Sequence, residues 1–409
     1  MPKARAWWSE AVGGLPPTYW YLWTGLLINR VGGFTVLFLS LYLTAQRGAS
    51  TALAGLIVGA YGIGGVAGTL LGGVLTDRWG RRSTLLASHL ATAVLLVALA
   101  LSTELHMIAF FALLLGLAQA MPGPAFVAAI IDVVPAENRS RAFNLQFWAF
   151  NLGMAGASLL AGVLAEWSYV GLFLIDAAST ALTCVLIFWK VPETRQRTTL
   201  PQAEIGGMRT ALTDRIFLAF VGLTLLQALL YSQTNTIVPL AMRDDGLSPA
   251  GYGLLTALSG ALIVTGQLFV PKLIDRHRKA RVLAVSLAVM AAGFAVLAAA
   301  DSLPFYLLAG AVWTIGSMLA APPNAEINSE LAPPELRGRY QAVFFLTFPA
   351  ASFLAPALGG ASLQAFGPAH WLIVAAVGAI GAALHLVAGP ARERRVAATA
   401  ARTRQTTTH

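Results

Sequence analysis

The stretch from Gly55 to Arg82 reads GLIVGAYGIGGVAGTLLGGVLTDRWGRR, in which an uncharged run ends abruptly in a dense group of charges. An α-helix needs roughly 20 apolar residues to cross the hydrocarbon core of a bilayer. The run is continuously apolar and does not alternate as the strand of a membrane barrel would. The stretch therefore predicts a membrane-spanning helix that ends in a charged loop.

A related stretch occurs a second time, 198 positions later and without a gap (253 − 55 = 198). The offset pairs identical residues along both copies, among them Gly55 with Gly253, Asp77 with Asp275, Pro124 with Pro322, Arg139 with Arg337 and Gly162 with Gly360. Solenoid repeats have periods of roughly 20 to 50 residues, so the repeated unit here is half of the chain. In an apolar protein, two related halves indicate a transporter built around a pseudo-two-fold axis.

The composition supports the same reading, because 57% of the 409 residues are hydrophobic and only 11% are charged. Soluble domains carry about 25% charged residues. Twelve apolar blocks are predicted at about 18–44, 52–74, 84–102, 106–131, 142–165, 169–189, 216–240, 250–270, 282–300, 303–327, 340–363 and 371–388. We expect an all-α integral membrane protein with twelve transmembrane helices in two pseudo-symmetric six-helix bundles.

The distribution of polar residues predicts where the two bundles begin and end. We expect an N-terminal bundle at 1–189, a cytoplasmic linker at 190–215, a C-terminal bundle at 216–389 and a cytoplasmic tail at 390–409. The linker is the longest polar stretch between apolar blocks. The tail is rich in arginine and threonine, and we expect it to be disordered.

The net charge of +9 is explained by membrane topology. With the N-terminus inside, all 27 basic residues except Arg30, Arg47 and Arg243 fall on cytoplasmic segments, which leaves 24. This bias follows the positive-inside rule. It predicts a multi-pass protein of the cytoplasmic (inner) membrane with both termini in the cytoplasm, and it leaves no indication of nucleic-acid binding.

Few features favour a catalytic function. The single cysteine, Cys184, allows neither an internal disulfide nor a cysteine metal cluster. The chain has no Gly-x-x-x-x-Gly-Lys-Ser/Thr phosphate loop, which disfavours an ATP-driven pump. The polar residues in the spans form no nucleophile, metal or acid-base cluster. We expect no enzyme activity, metal or cofactor, and a membrane-embedded enzyme is the alternative from another class.

The charged loop between the second and third blocks carries the most specific motif, Gly73-Val-Leu-Thr-Asp77-Arg78-Trp-Gly80-Arg81-Arg82. All six defining positions of this loop resemble the Gly-x-x-x-Asp-Arg/Lys-x-Gly-Arg/Lys-Arg/Lys motif of the major facilitator superfamily. We expect Gly73 to let a neighbouring helix approach closely. The resemblance implies that the motif latches the two halves on the cytoplasmic side in the outward-open state. The second half holds a degraded copy around Asp275 and Arg276, from which both glycines are missing.

Two further elements extend or depart from the family pattern. Asp132 and Arg139 flank a proline stop after the fourth block, and the resemblance places them in the same cytoplasmic charge relay, with Asp132 as the first partner for Arg78 and Arg81. Separate helix caps are the alternative. Drug and proton exchangers of the family often have a Gly-Pro motif in the fifth span, whereas this chain has Ser158 there and Pro356 at the repeat-related position.

Ionisable residues inside a membrane span are costly and are candidates for function. Arg30 in the first block and Asp176 in the sixth are placed at similar depths, and we expect them to pair, with Asn29 as a possible support. A static salt bridge is the alternative to a role in proton coupling or substrate binding. Glu326, near the end of the tenth block, is a second protonation candidate or a helix-end charge.

Several polar and aromatic residues are candidates for a substrate cavity. In the family that the chain resembles, spans one, four, seven and ten line the cavity, and five, eight and eleven contribute. On the seventh span, polar residues at helical spacing share one face. The candidates are Asn29, Gln119, Asn151, Gln227, Tyr231, Asn235, Gln267, Trp313, Phe344 and Phe348.

The resemblance implies a secondary transporter that works by alternating access, and within the family the chain is most similar to twelve-span drug exporters. We therefore expect proton-coupled efflux of lipophilic or cationic small molecules from a monomer in the lipid bilayer, driven by the proton gradient. Transport of a specific metabolite, lipid or siderophore is the alternative. A single deeply placed arginine can hold one carboxylate.

Overall fold

The computed structural model describes residues 14–194, 206–266, 269–274, 276–333 and 336–407, which form α-helices and connecting loops with no β-strand among them. The first eight α-helices are α1 (Pro17–Val31), α2 (Thr35–Gln46), α3 (Thr51–Arg78), α4 (Arg81–Leu101), α5 (Leu105–Ala120), α6 (Pro122–Val133), α7 (Arg139–Trp167) and α8 (Tyr169–Lys190). The remaining ten are α9 (Gly206–Thr213), α10 (Arg215–Thr236), α11 (Val238–Asp244), α12 (Pro249–Gly266), α13 (Val270–Ile274), α14 (Lys279–Leu297), α15 (Leu303–Leu331), α16 (Arg337–Phe345), α17 (Thr347–Phe366) and α18 (Ala369–Thr407). The expected all-α fold is confirmed.

Twelve helical segments among the described residues are long and apolar enough to cross a membrane, which confirms the expected number. Eight of these segments each consist of one helix. The other four are each built from two consecutive helices, namely α1 with α2, α5 with α6, α10 with α11, and α16 with α17. A span that is broken in this way leaves backbone groups within the membrane region that need other partners.

The C-terminal segment differs from the expected disordered tail, because α18 continues through Pro390 to Thr407. A proline inside a helix removes one backbone hydrogen bond and disfavours the turn before it. Two arginines hold the following turns in place. Arg395 binds the carboxylate of Asp214, and Arg392 donates to the backbone oxygen of His385 at 3.3 Å. These contacts stabilise the helix beyond the proline.

The chain divides into two compact units. The first comprises Met1–Ala49, Ile57–Thr199 and Ser248–Gly260, and the second comprises Ser50–Leu56, Leu200–Leu247 and Ala261–His409. The units follow the two sequence halves except at two short segments. The beginning of α3 belongs to the second unit, and the beginning of α12 belongs to the first.

Glycine contacts explain why these two segments change units. In the second unit, a Cβ atom added at Gly55 would lie 2.1 Å from the backbone oxygen of Pro356. In the first unit, a Cβ atom added at Gly253 would lie 2.6 Å from the backbone oxygen of Ser158. Only glycine allows helices to approach this closely. The offset of 198 converts one contact into the other, since it relates Gly55 to Gly253 and Ser158 to Pro356.

Candidate functional site

The first membrane span is interrupted between α1 and α2, and a buried carboxylate lies at the interruption. Asp176 on α8 is 2% exposed. Its Oδ2 atom accepts a hydrogen bond from the backbone N–H of Thr35 at 3.2 Å and another from the Thr35 hydroxyl at 2.7 Å. The first N–H groups of a helix have no intrahelical partner, and they form the positive end of the helix dipole. Asp176 therefore stabilises the start of α2 within the membrane span.

The position of the interruption follows from a close contact between the end of α1 and α8. A Cβ atom added at Gly32 would lie 2.1 Å from the Oγ atom of Ser179, which is one turn beyond Asp176. Glycine at this position lets the backbone pass close to α8. The carboxylate of Asp176 can then reach the first residue of α2.

The expected direct pair between Arg30 and Asp176 does not form in the part of the chain that the structure describes. The Arg30 guanidinium instead lies over the ring of Phe150 on α7, 4.6 Å from its centroid. The Nε atom of Arg30 is buried and has no hydrogen-bond partner among the described residues. The physical reason for the absent pair is the break after Val31. The carboxylate of Asp176 accepts hydrogen bonds from the start of α2, whereas Arg30 lies on α1 and points to α7.

The polar candidates near Arg30 are already hydrogen-bonded in the first unit. The side-chain amide of Asn29 donates to the Thr180 hydroxyl at 3.0 Å. The hydroxyl of Tyr61 donates to Oε1 of Gln119 at 2.7 Å. Asn151 lies next to Phe150 on α7 and is partly buried. The structure therefore places the candidates from the first, fourth and fifth spans in one unit, together with Tyr61, which the sequence did not suggest.

Arg81, directly after the charged loop between α3 and α4, forms the expected ion pair with Asp132 on α6. The Nε atom of Arg81 donates to Oδ2 of Asp132 at 2.8 Å, and its Nη1 atom donates to the backbone oxygen of Thr76 at 3.2 Å. Both charged side chains are largely buried, with 17% and 14% exposure. Asp77 is 81% exposed and lies 3.9 Å from Arg81. The pair joins the start of α4 to the end of α6.

Glu193, which sequence reasoning missed, completes this loop. Its Oε1 atom accepts from the backbone N–H of Arg81 at 2.9 Å, and its Oε2 atom accepts from the N–H of Arg82 at 3.2 Å. The carboxylate thus caps the N-terminus of α4. Gly80 has a φ of 101°, and a Cβ atom there would lie 2.4 Å from Oε2 of Glu193. The glycine of the motif is required by both the backbone angle and the capping carboxylate.

Two further arginines of the expected charge relay, Arg82 at the charged loop and Arg139 at the start of α7, contact helix ends in the same unit. Arg82 donates to the backbone oxygen of Phe188 at 2.6 Å, and its guanidinium lies 5.3 Å from the centre of the Phe188 ring. Arg139 donates to the backbone oxygens of Val134 and Ile131 at 3.2 and 2.9 Å. Arg139 therefore caps the C-terminus of α6, where the last carbonyls lack intrahelical donors.

The close helix approach expected at Gly73 occurs one residue earlier. A Cβ atom added at Gly73 would meet nothing within 4 Å. A Cβ atom added at Gly72 would lie 2.3 Å from the backbone oxygen of Met121, which follows α5. The expectation for Gly73 is wrong in this respect, because its neighbour faces the adjacent helix. Arg78 ends α3 and also makes contacts with surrounding groups.

Glu326 on α15 lies at the surface of the second unit. Its side chain is 57% exposed and lies 2.8 Å from the Nζ atom of Lys279 on α14. The same lysine contacts Glu330 at 2.6 Å. Of the two interpretations offered by the sequence, this geometry matches the helix-end charge. An exposed ion pair of this kind contributes little to stability, about 0 to 1 kcal/mol.

Two aromatic candidates pack in the interior of the second unit, which contradicts a position on a cavity surface. Trp313 is 3% exposed and stacks on Phe294 with a centroid distance of 5.5 Å. Phe344 is 6% exposed and stacks on Phe220 at 5.8 Å. Both side chains are large and apolar, and they gain more from burial in the core than from an open surface. Phe348, by contrast, is 49% exposed.

The polar candidates on the seventh span have different surroundings. Gln227 accepts a hydrogen bond from the side-chain amide of Asn324 at 2.8 Å. Tyr231 is 42% exposed, and Asn235 is partly buried. Gln267 lies outside the described residues. Asn324 was not among the candidates, although a polar residue directly after Pro322 and Pro323 in an apolar span was a signal in the sequence.

Comparison with known proteins agrees with this architecture. The sequence profile described as "Major Facilitator Superfamily" matches residues 22–240 and 222–408. The chain is 26% identical to a "Na(+), Li(+), K(+)/H(+) antiporter" of Planococcus maritimus, covering 78% of this chain and 83% of that protein. It is 24% identical to "Multidrug resistance protein MdtH" of Aeromonas salmonicida, covering 88% and 92%. The crystal structure of "the POT family transporter PepTSo" superposes with a TM-score of 0.76 at 15% identity, covering 93% and 99%. The chain belongs to the Major Facilitator Superfamily and is a multi-pass membrane transporter, not an enzyme.

Proposed function

We propose that the protein is a secondary active transporter that exports lipophilic or cationic small molecules in exchange for protons by alternating access. The observation that carries this proposal is Asp176, the one carboxylate that is fully buried among the described residues. A protonatable group inside a membrane span is costly, and it is therefore a candidate for function. Thr35, at the break between α1 and α2, donates two hydrogen bonds to the carboxylate of Asp176.

The geometry at the break gives protonation a structural consequence. An ionised Asp176 accepts two hydrogen bonds at the positive end of α2, and a proton on the carboxyl group removes the charge that this helix end favours. Binding and release of a proton would therefore alter how firmly α2 is held to α8. The name of one relative, a cation/proton antiporter, supports coupling to protons. The name of another, a multidrug resistance protein, supports export.

The second candidate function is transport of a specific metabolite, lipid or siderophore, and Arg30 favours a metabolite with one carboxylate. Arginine is suited to binding carboxylates because its planar guanidinium offers five N–H donors. The guanidinium of Arg30 forms no ion pair in the described part of the chain. A carboxylate-bearing substrate could use those donors, whereas a permanent cation would be repelled.

A proteoliposome experiment with the full-length protein separates these functions. Ethidium and benzoate serve as the cationic and anionic probes, each followed with an imposed pH gradient and without one. The flux into protein-free liposomes is subtracted, because neutral benzoic acid crosses a bilayer unaided. Export in exchange for protons predicts that the gradient drives ethidium accumulation and that ethidium shows counterflow. Benzoate transport without ethidium transport supports the second candidate. A flux of either probe that neither saturates nor shows counterflow would contradict a carrier.

We also propose that the protein is a monomer in the cytoplasmic membrane with both termini in the cytoplasm. The positive-inside rule supports this orientation, since 24 of the 27 basic residues then lie on cytoplasmic segments. In the same orientation the charged loop between α3 and α4 and its partner Asp132 at the end of α6 are cytoplasmic. The proposed role of the loop is that of a gate, in which Gly80, Asp77 and the loop arginines take part.

A further inference from the structure

The second unit contains a cavity of about 390 Å³ at the end where the linker joins it. The cavity lies between the first turn of α14, the last turns of α15 and the part of α18 that begins at Gly389. These are the points at which the ninth, tenth and twelfth spans end. Of the candidate transport residues, Glu326 contacts a lining lysine, and Phe344 packs in the same apolar cluster as the lining residue Ile327.

The lining combines a charged rim with an apolar floor. The basic side chains at the rim are His277, Arg278, Lys279 and Arg392, and the acidic ones are Glu330 and Glu393. The apolar side chains between them are Ala280, Ile327, Val396 and Ala397. The combination suits a ligand with a charged group and an adjoining apolar part.

Two of the cations at the rim are neutralised by carboxylates of the same rim. Arg278 binds both oxygens of Glu393. Lys279 binds Glu330 at 2.6 Å and also contacts Glu326 at 2.8 Å. These pairs account for both acidic side chains that line the cavity. The charge that remains at the rim is Arg392.

Arg392 is 4% exposed and has no carboxylate within ion-pair distance in the described part of the chain. Its Nη1 atom is 3.4 Å from Nδ1 of His385, and its Nη2 atom donates to the His385 backbone oxygen at 3.3 Å. The guanidinium also lies 5.7 Å from the centre of the Phe220 ring. A buried arginine without a counter-charge is costly, so an anion in the cavity would stabilise it.

The location of the cavity indicates where that anion comes from. On α18, Leu386 and Val387 precede the rim and are 51% and 76% exposed. Large apolar side chains that remain exposed on a membrane-spanning helix face lipid. The charged rim thus begins where the lipid-facing surface ends, at the depth of the phospholipid phosphates.

We propose that this cavity binds the phosphate group of an anionic phospholipid, with Arg392 as its counter-charge and the acyl chains along Leu386 and Val387. Basic pockets between transmembrane helices are a recurring form of lipid headgroup site. Arg278 and Lys279 keep donors that their carboxylate partners do not use, since an arginine has five and a lysine three. Those donors complete the contacts to the phosphate oxygens.

The test uses the full-length protein, delipidated in dodecyl maltoside, and measures its thermal unfolding midpoint. Phosphatidylglycerol, phosphatidylcholine and inorganic phosphate are added separately. We expect phosphatidylglycerol to raise the midpoint of the wild-type protein by about 3 °C more than phosphatidylcholine does. Arg392→Gln should abolish this excess. Arg394→Gln is the matched control, because Arg394 is exposed on the same helix, contacts Pro390 and does not line the cavity.

Arg392→Gln removes a buried charge, so a second variant keeps the test decisive if that one does not fold. Ala397→Trp fills the cavity and leaves every charge in place, and we expect it to abolish the excess as well. Equal effects of the two lipids on the wild-type protein would overturn the proposal. A phosphatidylglycerol excess that persists in Ala397→Trp would overturn it too. If inorganic phosphate raised the midpoint as much as phosphatidylglycerol does, the cavity would be assigned to a free anion and the proposal would also be overturned.

Discussion

Gly253 packs against Gly162 in the first unit, where a Cβ atom added at Gly253 would lie 2.9 Å from the Cα atom of Gly162. The repeat offset of 198 relates these glycines to Gly55 and Gly360, which pack in the second unit with the corresponding distance of 3.2 Å. The sequence repeat that identifies the two halves therefore also relates two close glycine contacts, one within each unit. Side chains at these positions would force the helices apart.

The first prediction concerns this contact. Gly253→Ala places a methyl group 2.6 Å from the backbone oxygen of Ser158. A backbone atom within a helix cannot move aside as a flexible side chain can. We expect a loss of about 1 to 3 kcal/mol in stability, the usual effect of overpacking, seen as a lower thermal unfolding midpoint in detergent. Gly65→Ala is the control, because a methyl group there meets nothing within 4 Å. A Gly253→Ala midpoint equal to that of Gly65→Ala would refute the contact.

The second prediction concerns the capping carboxylate of the charged loop. Glu193→Ala removes the acceptor for the N–H groups of Arg81 and Arg82, and we expect a loss of about 1 kcal/mol, the usual effect of removing an N-cap. Gly80→Ala should cost more, because the residue must also adopt a φ of 101°. Thermal unfolding of both variants tests the order. Glu193→Gln should retain part of the cap. A larger loss of stability in Glu193→Ala than in Gly80→Ala would contradict the prediction.

The third prediction concerns pH and Asp214, which lies just before the seventh span and binds Arg395. Burial alone would raise the pKa of Asp214, but hydrogen bonds from Arg395, the Phe217 backbone and Tyr340 outweigh it and lower the pKa below 3.8. The unfolded chain then binds the proton more readily than the folded one. The stabilisation is complete above about pH 4 and is lost as the pH falls through the folded-state pKa.

Asp214→Asn removes this titration and keeps an acceptor for the N-cap hydrogen bond to Phe217. We expect its unfolding midpoint to lie about 2 to 4 °C below that of the wild-type protein near pH 6. The difference should shrink as the pH falls below 4. Asp301→Asn, at an exposed loop residue, should follow the wild-type curve at every pH. A difference that stays constant down to pH 3 would exclude the ion pair as its cause.

The fourth prediction concerns orientation, and the single native cysteine simplifies its test. In a Cys184→Ser background, Asp301→Cys should react with a membrane-impermeant maleimide added to intact cells. Arg394→Cys should react only after the cells are opened, because the positive-inside rule places α18 beyond Pro390 in the cytoplasm. Reaction of Arg394→Cys in intact cells would reverse the proposed orientation.

The fold could be predicted from the sequence because the spans are continuous and apolar and the two halves repeat. Arg81 and Asp132 could be predicted to pair because the family resemblance placed the loop motif and the end of the fourth block in one cytoplasmic charge relay. Pairing of Arg30 with Asp176 was expected from membrane depth alone. Depth does not specify which side of its helix a side chain faces. The break at Gly32 turns the chain, so that Asp176 meets Thr35 and Arg30 meets Phe150.

Other features could not be predicted because they depend on tertiary packing. Trp313 and Phe344 have the residue types of a binding surface, but the structure places both in the core. The helix after Pro390 looked like a disordered tail in composition, and its order depends on Arg395 reaching Asp214, 181 residues away. Glu193 is isolated in the sequence and gains its role only because the end of α8 lies beside the start of α4.

The most direct test of proton coupling is a comparison of the wild-type protein with Asp176→Asn in proteoliposomes with an imposed pH gradient. Asparagine keeps an oxygen acceptor for Thr35 but cannot carry and release the proton. Arg47→Gln is the control, because it also neutralises one charged residue of the first unit. Arg47 lies over an aromatic ring, as Arg30 does, but it is hydrogen-bonded to Tyr42 and Ser102. We predict that Asp176→Asn elutes as a folded protein and loses gradient-driven ethidium accumulation, whereas Arg47→Gln retains it. Accumulation by Asp176→Asn at the wild-type rate would contradict the assignment of Asp176 to proton coupling.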